Sequence, residues 1–244
     1  KKRFLTEFCS KPQLGAFALT EREAGSDVAS MTTTAELKGN EYVINGMKCF
    51  ITNGGIASYY TVFASEDRTK GVGGISAFFV PGNTPGIRSG KKENKMGIRA
   101  SHVAEVIFED VRVPKENILG KTGDGFRIAM QTLDQTRTGT AAGAVGVARR
   151  AFDEALKYSK KRIQFGKPIA ANQAIQFMLS DMAAQIEAAR LLVYQAAEKL
   201  DRGERATCEG AMAKFFAGDI AMNVTQNAVQ IFGGIGYTTE TRVS

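Results

Sequence analysis

Two stretches hold residue types that could do chemistry at close range. In the first, the apolar run Phe17-Ala18-Leu19 gives way to Thr20-Glu21-Arg22-Glu23-Ala24-Gly25-Ser26-Asp27, a segment of hydroxyls, acids and one glycine. In the second, Lys48-Cys49-Phe50-Ile51 gives way to Thr52-Asn53-Gly54-Gly55. Each reads as a buried strand ending in a loop whose backbone is free to approach a ligand. Neither decides anything alone, because a strand that ends in a polar turn is common to most β proteins. A third candidate is Asp134 with Arg137, three residues apart on a helical face with small neighbours. Such a pair is either an internal salt bridge or a ligand contact, and the spacing leaves both open.

Other chemistries have less to draw on. His102 is the sole histidine, too little for a Ser-His-Asp triad or a His-rich metal site, and it reads as a solvated or hydrogen-bonded loop residue. Cys9, Cys49 and Cys208 are far apart and form no Cys-x-x-Cys pair, which fits a reducing compartment. Gly120-Lys121-Thr122 ends like a phosphate-binding P-loop, but the glycine required five residues earlier is Lys115. No Gly-x-Gly-x-x-Gly opens a helix after a strand, and no Gly-x-Ser-x-Gly elbow is present. A dinucleotide, if bound, is bound outside those folds. The formal charge is +7. Its basic clusters, at Lys1-Lys2-Arg3, around Lys91, Lys92 and Lys95, and at Lys157, Lys160, Lys161 and Arg162, are not regularly interleaved with aromatics, Tyr158 alone falling within them. Anionic small molecules or solvated faces explain them, and a nucleic-acid partner is not expected.

The elements that must position these groups fall into two kinds. The 244 residues, 43% hydrophobic and 23% charged, suffice for one large or two small domains with a real core. No uncharged apolar run approaches the roughly 18 residues of a membrane span, and no apolar signal region follows the opening Lys1-Lys2-Arg3-Phe4-Leu5. Residues 1–15 read as the end of a helix and a polar connector. Met31–Leu37 and Glu41–Gly46, joined by Lys38-Gly39-Asn40, form a hairpin pattern. Further short strands are expected at Lys48–Thr52, Tyr59–Ser65, Gly74–Val80 and Val103–Phe108, which together suggest a small antiparallel barrel or sandwich. After Gly125 the period becomes helical, with Phe126, Met130, Leu133, Arg137, Thr140, Ala144, Val147, Ala151 and Ala155 on one face. A second helix is expected from about Asn172 to Arg202, and a third from about Ala206 to Phe232, stopped by Gly233-Gly234.

Phe17-Ala18-Leu19-Thr20-Glu21, leading to Ala24-Gly25-Ser26-Asp27, closely resembles the first signature of the acyl-CoA dehydrogenases. Phe50-Ile51-Thr52-Asn53 is similar to their second flavin segment. Arg162-Ile163-Gln164-Phe165-Gly166, then Gln173, then Gln230-Ile231-Phe232-Gly233-Gly234 resemble three more segments in the family's order. The likeness covers essentially the whole chain. It implies an α+β multidomain fold, an antiparallel β domain followed by an antiparallel helical bundle around FAD, here truncated at both ends. Residues 1–15 would close an N-terminal helical domain, 16–124 form the middle β domain, and 125–244 an incomplete bundle. By the resemblance, Phe17, Leu19, Thr20, Ser26, Phe50, Ile51 and Thr52 line the flavin. Arg162, Gln164, Phe165, Gln173, Gln230, Ile231, Gly233 and Gly234 reach the FAD of a neighbouring subunit. Ser26, Asp134 and Arg137 meet the acyl-CoA, which turns the open reading of the acid–arginine pair toward a ligand contact.

The activity implied is α,β-dehydrogenation of a short- or medium-chain acyl-CoA. Electrons would pass to electron-transfer flavoprotein, from a homo-oligomer, most often a tetramer, in bacterial cytoplasm or the mitochondrial matrix. Two departures matter. Phe50 stands where many members have Trp. The family's usual catalytic glutamate would lie beyond Ser244, and the alternative position on the helix near Phe126 is Thr136, which cannot serve. The chain is therefore expected to lack its base and to be inactive by itself. The same fold used for an oxidase-type reaction, or for binding without catalysis, is the rival reading.

Overall fold

The computed structural model describes Thr6 and residues 9–243. Most of the helix end expected before residue 9 thus lies outside the described residues, although Thr6, Cys9 and Ser10 are helical. The chain divides into two compact units, up to Met130 and from Gln131 onward. Among the described residues no helix is long and apolar enough to cross a membrane.

The first unit is built from β1 (Gly15–Ala18), β2 (Thr34–Lys38), β3 (Glu41–Thr52), β4 (Tyr59–Ser65), β5 (Ile75–Pro81), β6 (Ile87–Lys92), β7 (Val103–Pro114) and β8 (Ile118–Leu119). The strands hydrogen-bond in the order β6-β7-β3-β2-β4-β5-β8, with β1 on β4. Most pairings are antiparallel, as expected. The exceptions are β1 on β4 and the single contact of β2 with β4 at Thr34 and Ser65, both parallel. The expected β2–β3 hairpin forms, pairing Lys38 with Glu41 across a turn that Gly39 takes at φ 64°.

The runs Glu41–Gly46 and Lys48–Thr52, expected as separate strands, are one strand of 12 residues. It slips register against β7 between Ile44 and Gly46 and again between Lys48 and Ile51. The first slip needs glycine: at φ 149° a Cβ on Gly46 would sit 2.5 Å from the Thr33 hydroxyl. Alternate residues of β4 feed two cores. Tyr60, Val62 and Ala64 join Phe78, Val80 and Phe108, while Phe63 joins Ile75, Ala77, Leu19 and Ala129.

The second unit holds most of α1 (Gly125–Lys161), then the hairpin β9 (Ile163–Gln164) and β10 (Lys167–Pro168), α2 (Gln173–Asp201) and α3 (Thr207–Phe232). The stripe expected on α2 is buried from Leu179 through Met182, Ile186, Ala189 and Val193 to Ala196. On α1 the expected stripe holds at Ala151 and Ala155, which enter the core, but is displaced before them: Ala141 and Ala148 are buried, whereas Thr140 is exposed and Val147 is 57% exposed. Small side chains lie on both faces there, so apolar spacing alone could not choose between them. Gly233 ends α3 at φ 67° and ψ −146°, a positive-φ conformation that glycine takes without the steric cost of a Cβ.

Candidate functional site

The two polar-ended segments meet in the first unit. The Cys49 N–H donates to the Thr20 carbonyl at 2.9 Å. Beside it the Lys48 ammonium donates to the Leu19 carbonyl at 3.0 Å and to Glu21 Oε1 at 2.8 Å. Glu21 Oε1 also accepts from the Thr33 N–H at 3.0 Å, and Oε2 from the Thr32 N–H and hydroxyl, both at 2.6 Å. Lys48 is 0% and Glu21 5% exposed. Burial alone would raise the Glu21 carboxyl. The Lys48 charge and the bonds from Lys48, Thr32 and Thr33 outweigh it and bring the pKa down to about 2. A carboxylate held that low is a poor proton acceptor for a weak carbon acid.

The second register slip in β3 arranges this. Phe50 takes φ 56°, so that Lys48, Cys49 and Ile51 are all buried while Phe50 is 62% exposed. Thr20 is half-buried and Thr52 exposed. These three therefore offer side chains. Phe17, Leu19 and Ile51 differ: the Phe17 ring packs 4.9 Å from that of Phe63, and Leu19 and Ile51 lie in the cores. What Leu19 and Ile51 can present to a ligand is main chain. Ser26 is exposed in the loop. Past Thr52, the Asn53 side chain donates to the Gly15 carbonyl at 2.9 Å, and His102 Nε2 lies 2.8 Å from the Gly54 carbonyl. His102 is the hydrogen-bonded loop histidine that the sequence suggests.

In the second unit Asp134 and Arg137 form an ion pair one turn apart. Asp134 Oδ2 also accepts the Thr207 hydroxyl at 2.6 Å, tying α1 to the start of α3, so the internal bridge left open by spacing is formed. Thr136 is exposed, its hydroxyl donating to the Leu133 carbonyl at 3.2 Å. Arg162, Gln164 and Phe165 share the exposed β9–β10 hairpin, whose two-residue turn is Phe165 at φ 51° and Gly166 at φ 75°. Phe165 is 100% exposed. Gln173 opens α2 and is exposed. Gln230 lines an open groove of about 470 Å³ with Thr225, Gln226, Val229 and Val243. Ile231 is in the core, and Gly233 and Gly234 are exposed at the end of α3.

Sequence reasoning did not assign the Glu21–Lys48 pair. One signal could have found it. Lys and Glu are rarely enclosed unless paired, and a lysine among the apolar residues of a central strand calls for an acid.

Comparison with known proteins places the whole. Residues 16–111 match the acyl-CoA dehydrogenase middle-domain model and residues 123–244 the acyl-CoA dehydrogenase C-terminal-domain model. The short-chain specific acyl-CoA dehydrogenase of Megasphaera elsdenii is 52% identical over 98% of this chain. The chain spans 63% of that relative's length. The solved butyryl-CoA dehydrogenase of the same organism superposes with TM-score 0.96 at 51% identity, over 99% of this chain and 63% of its own. A chain from the structure of the electron transferring flavoprotein of Acidaminococcus fermentans gives TM-score 0.96 at 53% identity, over 99% of this chain and 64% of that one. The chain belongs to the acyl-CoA dehydrogenase family.

Proposed function

We propose that the protein carrying this chain is an FAD-dependent acyl-CoA dehydrogenase acting on short- or medium-chain thioesters. The observation that carries this reading is the junction of Thr20 with Cys49. It brings an exposed aromatic, Phe50, beside two hydroxyl residues, Thr20 and Thr52, on a main chain fixed by buried bonds. A flat ring with a polar edge fits that donor set, and flavin is such a ring. When bound, FAD supplies the hydride acceptor for the substrate's β-hydrogen.

The chain's own residues bind and orient. Thr20 and Thr52, with the backbone at Leu19 and Ile51, hold the polar edge of the ring, and Phe50 covers it. Ser26 lies toward the acyl-CoA, and Arg137, its side chain 37% exposed, keeps donors for the pantetheine arm while Asp134 holds it. The Arg162 fork suits the pyrophosphate of a neighbouring copy's FAD. Gln164, Phe165, Gln173, Gln230, Ile231, Gly233 and Gly234 serve its adenine half. Neither Glu21, ion-paired with a pKa near 2, nor Thr136 removes the α-proton, and the chain by itself does not turn over. Electrons pass to an electron-transferring flavoprotein, in bacterial cytoplasm or the mitochondrial matrix.

The test is spectroscopic. The purified protein is expected to be yellow, and its flavin band to bleach on anaerobic addition of butyryl-CoA. A colourless protein, or a flavin band that no acyl-CoA bleaches, overturns the reading. Turnover of butyryl-CoA by the 244 residues alone, with an artificial acceptor, overturns the placement of the base elsewhere.

A further inference from the structure

The Glu21–Lys48 pair has no part in the chemistry just described, and folding stability alone does not account for it. Two opposite charges enclosed together commonly stabilise no more than an apolar pair of the same volume. What an apolar pair cannot do is bond main chain. Lys48 holds the Leu19 carbonyl at 3.0 Å and the Glu21 side chain at 2.8 Å, while Cys49 holds the Thr20 carbonyl at 2.9 Å. Three consecutive loop residues are thus fixed to two consecutive residues of β3. From the other side the same carboxylate takes the Thr32 and Thr33 N–H groups at 2.6 and 3.0 Å. Leu19 and Glu21 are buried and Thr20 is half-buried, so Thr20 is the side chain that this clamp leaves presented.

We propose that Glu21 and Lys48 are a positioning pair, setting the attitude of the Thr20 hydroxyl and its flanking main chain toward the flavin's polar edge. The pair thereby sets how tightly the flavin is held and at what potential it is reduced. The inference rests on the flavin reading under Proposed function. Neither side chain is accessible to a substrate, since Lys48 is 0% and Glu21 5% exposed; the pair acts through Thr20.

The test replaces the charges by an apolar pair, Glu21→Leu with Lys48→Met, and titrates FAD into the protein. That double variant leaves no unpaired charge, but it strips partners from the Leu19 carbonyl and the Thr33 N–H, so its melting temperature is expected to fall. A merely structural role shows in that fall alone, with flavin binding unmoved below the melting temperature; a positioning role reaches the flavin as well. The FAD dissociation constant is expected to rise roughly tenfold with the loss of aligned hydrogen bonds, and the flavin's visible bands and reduction potential to shift. A folded double variant with unchanged dissociation constant and potential overturns the proposal. Should the double variant not fold, Glu21→Gln keeps the side chain's shape beside Thr32 and Thr33 and is judged by the same two measurements. Failure of the unmodified protein to take up FAD overturns the flavin reading, and the positioning role with it. FAD uptake by the unmodified protein with no change in the variants overturns the positioning role alone.

Discussion

Lys48 illustrates how much one side chain can commit a loop. Removing it alone leaves Glu21 enclosed without its counter-charge, and Lys48→Met is expected to destabilise the fold by about 3–5 kcal/mol, read by urea unfolding. Acid should expose the same pair. The Glu21 carboxyl titrates at about 2 in the folded protein against an ordinary 4.5. Its contribution is therefore complete above about 4.5 and is lost as pH falls toward 2. Unfolding free energy should decline across that window in the unmodified protein and decline less in Glu21→Gln; equal slopes would contradict the assignment. Thr20, Phe50 and Thr52 were legible as a group because their types recur at the ends of two strand-like runs. The pair behind them was not, because it joins positions 27 residues apart, and burial of a lysine is decided by tertiary packing that no local period encodes.

Among the elements, the β9–β10 hairpin shows folding preference and surface chemistry pulling apart. A two-residue turn with positive φ at both positions favours Asn-Gly, yet here the first position is Phe165, fully exposed at φ 51°. Phe165→Asn is expected to raise stability by up to about 1 kcal/mol while weakening FAD retention under the proposed function. A variant that loses stability and keeps its flavin would contradict both halves.

Element boundaries were otherwise readable wherever apolar spacing was unambiguous, as along α2 and at the glycine that ends α3. Four strands are not expected from the sequence. β6 runs Ile-Arg-Ser-Gly-Lys-Lys, and β8, β9 and β10 are two residues long each, so none displays an alternating apolar pattern. The slip at Phe50 was equally invisible, since a non-glycine residue at positive φ leaves no mark in composition.

For the molecule as a whole, the apolar residues left outside are as informative as the cores. Phe177, Leu191, Tyr194, Phe215 and Met222 of the second unit are each more than half exposed. Large apolar side chains in such number on the helices of one unit favour association with another chain. The protein is expected to sediment as a multiple of its protomer mass, and a monomer at micromolar concentration would contradict the oligomeric part of the proposed function.

The sheet carries a different consequence. Its hydrogen-bonded path ends at β6 and β8, and an unpaired strand edge is a template on which foreign strands can grow into aggregates. β8 offers two residues, too few to recruit a partner. β6 carries Arg88, Lys91 and Lys92, and a second copy approaching edge-on would bring like charges into register. The lysines that first raised the question of a polyanion thus stand guard over the solubility of the chain.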